Sequence, residues 1–336
     1  MNTTKQNALP RHSRALGRAL RSLATILAII ALLGVSGAGY EALASRSDAT
    51  NVPRPGRLVD VGGFRLHLNC TGEGSPAVVL DAGLSRDSLD WALVQPEIAQ
   101  TTRVCSYDRA GMGWSEPSPN ARTPAIIADE LHTLLANADI PGPYVLVAHS
   151  LSGKYARMFA IQHPSEVAGI VLVDARHEYL DELTSPDEIQ VFHAAVDAQG
   201  VQYAWARRLG VARLFAASIA GTPAFPAETR RTMALTATSA SAIAATSAEA
   251  RERAANDAEL RASGLGDRPL IVLAAGQSMT RIPHWQEAQE RQAALSSRGQ
   301  LRIAQTSSHC IQCDNPTAVI GAIEDVVDAV RPQRQH

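Results

Sequence analysis

One serine stands where a side chain could do covalent chemistry. Tyr144-Val-Leu-Val-Ala-His-Ser150-Leu-Ser-Gly153 reads as an apolar strand, a tight turn with Ser150 at its apex, and the start of a helix. So sharp a turn strains its central residue and admits only small side chains two positions to either side. Ala148 and Ser152 meet that requirement, although glycine is usual there, and Ser152 adds a second hydroxyl. A serine hydroxyl is a poor nucleophile until a base takes its proton, and a neutral imidazole with a pKa near ~6.5 can do so at physiological pH. Of the ten histidines, His309 lies in a loop between the expected last strand and last helix and is the candidate base. His67, His177 and His284 read as strand, loop and helix-start residues, and His149 points into the fold by strand alternation. The base in turn needs a carboxylate to orient it and to stabilise the imidazolium. Local pattern does not single out that acid; Asp174, at the end of an apolar run, reads by itself as a turn cap.

The elements that must position these residues alternate along the chain. Arg57 to Val61 and Phe64 to Asn69 read as a strand pair turned at Gly62-Gly63. Ala77 to Asp81, Arg103 to Tyr107, Tyr144 to Ala148, Ile170 to Asp174, Leu270 to Ala274 and Leu301 to Ala304 are further strands, most of them nearly continuous in Val, Leu and Ile, as strands covered on both faces should be. Between them Trp91 to Ala99, Ile126 to Ala138, Leu151 to His163, Trp285 to Leu295 and Pro316 to Val330 carry helical spacing, the last opened by Asn315 and Pro316. This alternation predicts an open, doubly wound α/β sheet. The segment 178–267 breaks the rhythm, being Ala-rich and helical, and is expected to be an inserted helical cap on a core of residues 57–177 plus 268–332. Its weakly aromatic composition suggests an aliphatic pocket.

The motifs together resemble the α/β-hydrolase superfamily, over about Arg57 to Arg331. Asp81-Ala-Gly-Leu84 follows the third strand, where that family places its oxyanion loop. Tyr107-Asp-Arg-Ala-Gly-Met-Gly-Trp-Ser115 matches the turn after the fourth strand, the serine turn follows, and then come Val171-Leu-Val-Asp174 and Ser308-His309. The resemblance implies a mostly parallel eight-stranded sheet flanked by helices, and places His309 where the family's histidine reaches the serine. It implies Leu151 N–H and Leu84 N–H as the oxyanion donors. The family's acid usually follows the seventh strand, but Ala275-Gly-Gln-Ser-Met-Thr-Arg-Ile-Pro-His284 contains none; some members place it after the sixth strand, where Asp174 stands, and Glu287 is the alternative on the seventh-strand side. A serine argues against the dehalogenases and epoxide hydrolases of this fold, which use an aspartate nucleophile. The expected activity is therefore a serine hydrolase acting on a small-molecule carboxylic ester, with lactones, thioesters or amides as alternatives. A catalytically idle binding or receptor protein on the same fold is the other class, because fold alone does not grant function.

Composition narrows the setting. With a net charge of -2 and 19% charged residues, the chain offers no basic field for a phosphate backbone, and nucleic acid is excluded as an expected partner. No cofactor is implied and no metal cluster is evident, since Cys310-x-x-Cys313 lacks two further ligands at matching spacing. Residues 1–22 are basic, residues 23–40 are apolar, and residues 41–56, with Pro53 and Pro55, read as a linker. The apolar run lies where the lengths of an h-region and a spanning helix overlap. Ala42-Leu43-Ala44 offers a cleavage site, but the run favours an uncleaved anchor. In either case the positive-inside rule places the rest of the chain outside the cytoplasm, anchored to the membrane or periplasmic or secreted. An oxidising compartment favours disulfides. The resemblance sets the second strand antiparallel beside the fourth, pairing Cys70 with Cys105; Cys310 and Cys313 are a second candidate pair that would brace the His309 loop.

Overall fold

The computed structural model describes residues 11–51, 54–212 and 223–331. Eight strands form one sheet: β1 (Arg57–Asp60), β2 (Arg65–Thr71), β3 (Ala77–Asp81), β4 (Val104–Tyr107), β5 (Tyr144–His149), β6 (Val167–Val173), β7 (Leu270–Ala275) and β8 (Gly299–Ala304). Their spatial order is β1-β2-β4-β3-β5-β6-β7-β8. The pairs β1–β2 and β2–β4 are antiparallel, and every other pair is parallel. The apolar runs of β3, β4, β5 and β7 are buried at every position because helices cover both faces. On one face Leu131, Leu134 and Phe159, from the helices Pro124–Asn137 and Ser152–Gln162, pack over Val79, Leu146 and Leu172. On the other, Val319, Ile323 and Val327 of the helix Pro316–Val330 join Trp91 and Ile98 over Val78, Val145 and Val171.

Two local departures from the sequence pattern have physical causes. The helix expected over Trp91 to Ala99 is split into a 3₁₀ turn, Ser88–Trp91, and a short helix, Gln95–Ile98. Pro96 has no N–H to give back to the preceding turn, so the helix restarts with proline in its first turn. The N-terminal helix runs from Arg11 to Asn51, through most of the stretch read as a linker. Nothing in Glu41-Ala-Leu-Ala-Ser-Arg breaks a helix, and the first proline arrives only at Pro53. Its segment Arg18–Ala44 has a mean hydropathy of 2.0 and is the one helix among the described residues long and apolar enough to cross a membrane.

Between β6 and β7 lie the helices Glu178–Glu182, Pro186–Arg208, Ala227–Ala237, Ala240–Glu252 and Asp257–Ala262. Buried cations on the helix Ser152–Gln162 hold this segment to the sheet. Lys154 Nζ lies 2.6 Å from carboxylate oxygens of both Asp181 and Asp257, and Arg157 grips Glu178 while donating to Leu260 O at 3.0 Å. A lone buried charge would be very costly, so each cation requires its acidic partners on the inserted segment.

Antiparallel pairing sets Cys70 opposite Cys105, and the two are disulfide-bonded with Cα atoms 4.0 Å apart. The bond closes a loop with a sequence separation of 35. Replacing both cysteines with alanine is expected to lower unfolding free energy by about 3 to 4 kcal/mol in the chain-entropy picture. Denaturant titration of the variant against the oxidised parent measures the loss, and equal stability would show that the bond does not form.

Candidate active site

The serine sits on backbone that only tight packing can hold. Ser150 follows β5 directly with φ at 57°, a left-handed conformation that costs a non-glycine residue about 1 to 3 kcal/mol. Neighbouring chain pins it: Ser150 N–H donates to Val173 O at 3.1 Å, and its carbonyl accepts from Arg176 N–H at 2.9 Å. Space is as tight as the bond geometry, since a Cβ on Gly153 would come within 2.6 Å of Ala175 Cβ. Ala148 is fully buried. The second hydroxyl, on Ser152, lies 2.9 Å from Asp81 O and 2.8 Å from His149 O, so it serves the backbone and does not compete with Ser150.

His309 enters from the loop after β8, and its Nε2 lies 2.9 Å from Ser150 Oγ. Nδ1 lies 2.7 Å from Asp174 Oδ2. Asp174 closes β6 and is fully buried. Besides the imidazole it accepts from Ala275 N–H at 2.9 Å, Ser278 Oγ at 2.5 Å and Trp285 Nε1 at 2.8 Å. With His309 these donors fill the four acceptor sites of a carboxylate and fix its plane. The acid-free loop after β7 thus supplies hydrogen-bond donors to an acid carried by β6. Glu287 is elsewhere: on the exposed side of the helix Trp285–Ala293 it accepts from Tyr179 OH at 2.8 Å and pairs with Arg291 at 2.9 Å.

Leu84 and Leu151 share an apolar cluster with Ile127 and Tyr155. Neither amide N–H has a hydrogen-bond partner among the described residues. The loop carrying Leu84 is held by a residue whose role sequence reasoning missed. Arg109, 2% exposed, donates to the carbonyls of Ala82 and Gly83, to Asp81 Oδ1 at 2.6 Å, and to both carboxylate oxygens of Glu249 at 2.9 and 3.0 Å. By occupying those carbonyls it fixes how the 81–84 loop faces the serine. Burial pushes the Asp81 carboxyl up to about 6 against the opposing pull of Arg109 and Tyr107. The motif 107–115 contained Arg109, and Glu249 is a lone acid in the run Ala242-Ile-Ala-Ala-Thr-Ser-Ala-Glu249-Ala; only the fold joins them.

His149 also does more than fill space. Its Nε2 donates to the carbonyl of His309 at 2.8 Å, and the two rings are 4.7 Å apart. Burial, with the neighbouring His309, pushes it down to about 3, so it stays neutral and supports the His309 backbone through a wide pH range. Cys310 and Cys313, on the same loop, are disulfide-bonded. Among the described residues, Asp90, Cys310 and Cys313 bring ligand atoms together, as do His132, His163 and Glu166. In the first group the sulfurs are bonded to each other; in the second the rings stack at 3.9 Å and 5°, so their in-plane lone pairs do not converge on one ion.

Ser150 and His309 open onto a cavity of about 500 Å³, lined in part by Leu84, Arg86, Gln277, Arg281, Ile282 and Ser308. These come from the loops after β3, β7 and β8. The aliphatic pocket expected from the Ala-rich insertion does not describe this cavity, because among the described residues that segment contributes none of its wall.

A mostly parallel sheet of this order, with a serine on the turn after β5 and a histidine after β8, defines a class, and comparison gives the same answer. The sequence profile of the alpha/beta hydrolase fold matches residues 76–316, and the chain belongs to that family. It is 31% identical over 218 residues to an uncharacterized protein of Schizosaccharomyces pombe, covering 64% of this chain and 39% of that protein's length. The solved structure of a thermophilic esterase from Thermogutta terrifontis, with malate bound, superposes with a TM-score of 0.63 at 22% identity, over 82% of this chain and 99% of that one. The epoxide hydrolase CorEH gives 0.62 at 17% identity, over 82% and 99%. At such identities the likeness is one of fold.

Replacing Arg109 with methionine leaves Glu249 and Asp81 buried without their cation, and is expected to cost about 3 to 5 kcal/mol of stability. Thermal unfolding of the variant reads the cost, and an unchanged midpoint would show that the network does not bear on the loop.

Proposed function

We propose that this protein is a serine hydrolase that cleaves carboxylic esters through an acyl-enzyme on Ser150. The observation that carries the reading is the unbroken chain from Ser150 Oγ through His309 to Asp174, with contacts of 2.9 and 2.7 Å. In the first half-reaction His309 Nε2 takes the serine proton as Oγ attacks the ester carbonyl, and returns it to the departing alcohol. Asp174, beside Nδ1, keeps the imidazole in the tautomer whose Nε2 lone pair faces the serine. The tetrahedral intermediate places negative charge on the former carbonyl oxygen, and Leu84 N–H and Leu151 N–H, both unpaired, are the donors assigned to it. Water then repeats the sequence on the acyl-enzyme. Lactones are cyclic esters and suit the same machinery. Neither a metal nor an organic cofactor is required by these steps.

The basic residues before the apolar helix and the length of Arg18–Ala44 support an uncleaved anchor, with the hydrolase outside the cytoplasm. Residues 57–177 plus 268–332 act as the catalytic core, and 178–267 as its cap, of which 213–222 and 332 lie outside the described residues.

Ser150→Ala is expected to remove fluorophosphonate labelling and to lower p-nitrophenyl ester turnover at least 10⁴-fold. Retention of more than about one per cent of the activity would overturn the assignment of the nucleophile. Asp174→Asn is expected to cost about 10⁴-fold in kcat, by favouring the wrong imidazole tautomer. Near-normal turnover in that variant would place the acid elsewhere.

A further inference from the structure

We propose that the cavity beside Ser150 takes esters bearing a free carboxylate, and that Arg281 is the residue that reads it. This deepens the hydrolase reading and rests on it. Among the described residues two guanidinium groups line the cavity, those of Arg86 and Arg281, and no aspartate or glutamate does. The polar side chains of the wall are otherwise engaged within the protein. Gln277 Nε2 donates to Thr306 O at 3.0 Å, Ser278 Oγ to Asp174, and Ser308 Oγ to Asp314 Oδ2 at 2.6 Å. Arg86 lies 3.4 Å from Asp90.

Arg281 differs from all of these. It ends the helix Gly276–Arg281, one turn beyond Gln277, so both side chains lie on the cavity side. The side chain is exposed, and among the described residues its guanidinium makes no hydrogen bond or ion pair. The acid nearest in sequence, Glu287, is committed to Tyr179 and Arg291. A guanidinium offers five N–H groups in a planar fork that matches a carboxylate bidentately, and a cavity wall of one charge sign concentrates the opposite one. Leu84 and Ile282 give the same cavity an apolar stretch, suited to a short carbon chain between ester and carboxylate. The carboxylate can belong to the acyl half, as in a half-ester of a dicarboxylic acid, or to the alcohol half, as in an acylated hydroxy acid; the chemistry that Arg281 recognises is the same.

Two substrate pairs separate these sources: mono-4-nitrophenyl glutarate against 4-nitrophenyl valerate, and 4-acetoxybenzoate against phenyl acetate. With the full chain, kcat/KM is expected to favour the charged member of at least one pair. In Arg281→Gln that preference should fall about tenfold, carried mainly by KM, and Arg281→Lys should restore part of it. An unchanged preference in both pairs on Arg281→Gln overturns the inference. A binding measurement keeps this outcome apart from failure of the hydrolase reading. The Ser150→Ala chain should bind monomethyl glutarate in a calorimetric titration, and should lose that binding when Arg281→Gln is added. Absence of binding in the single variant overturns the carboxylate site even if esters are cleaved. Absence of fluorophosphonate labelling in the parent chain overturns the hydrolase reading even if monomethyl glutarate binds.

Discussion

A buried carboxylate is costly to leave short of hydrogen-bond donors, and Asp174 is the point at which the architecture answers that demand. Its donors come from the end of β7, from the short helix beyond it, from the indole of Trp285 and from the loop after β8. Elements far apart in sequence must therefore converge within hydrogen-bond distance of one side chain. Moving β7 relative to β6 by one register step would take away Ala275 N–H, and rotating the helix Trp285–Ala293 would take away the indole. The positions of His309 and Ser150 follow, because an imidazole held at Nδ1 has only one direction in which to present Nε2.

The parts of this arrangement that could be read from the sequence are those with a local signal. The strands were legible because burial on both faces removes polar residues from short runs such as Val145-Leu-Val-Ala148. The helix Pro316–Val330 was legible because Asn315 and Pro316 announce its start. Ser150 was nameable from the strand, turn and helix around it. His309 and Asp174 were not nameable from local pattern alone and needed the order of motifs in a resembling family. Arg109 and Glu249 illustrate what stays hidden. Nothing in either neighbourhood codes for the other, since their contact spans a sequence separation of 140, and a buried ion pair is a property of the folded environment.

The same limit explains the character of the cavity. Composition of the inserted segment suggested an aliphatic wall, but composition says nothing about which segment faces the serine. The wall is built by loops at the carboxyl ends of the strands, and these loops are rich in Gln, Ser and Arg. Ligands in open α/β sheets bind outside those strand ends, and it is the residues of these loops that set the character of the cavity.

The buried cations Lys154, Arg157 and Arg109 all find acids on the helical insertion. An insertion attached in this way is not an interchangeable module. Exchange for the corresponding segment of a relative, or its deletion, would strand positive charges inside the core unless those three positions were made neutral in the same step. Any diversification of this chain's insertion is thus tied to residues outside it, in the helix behind the serine and the loop beside it.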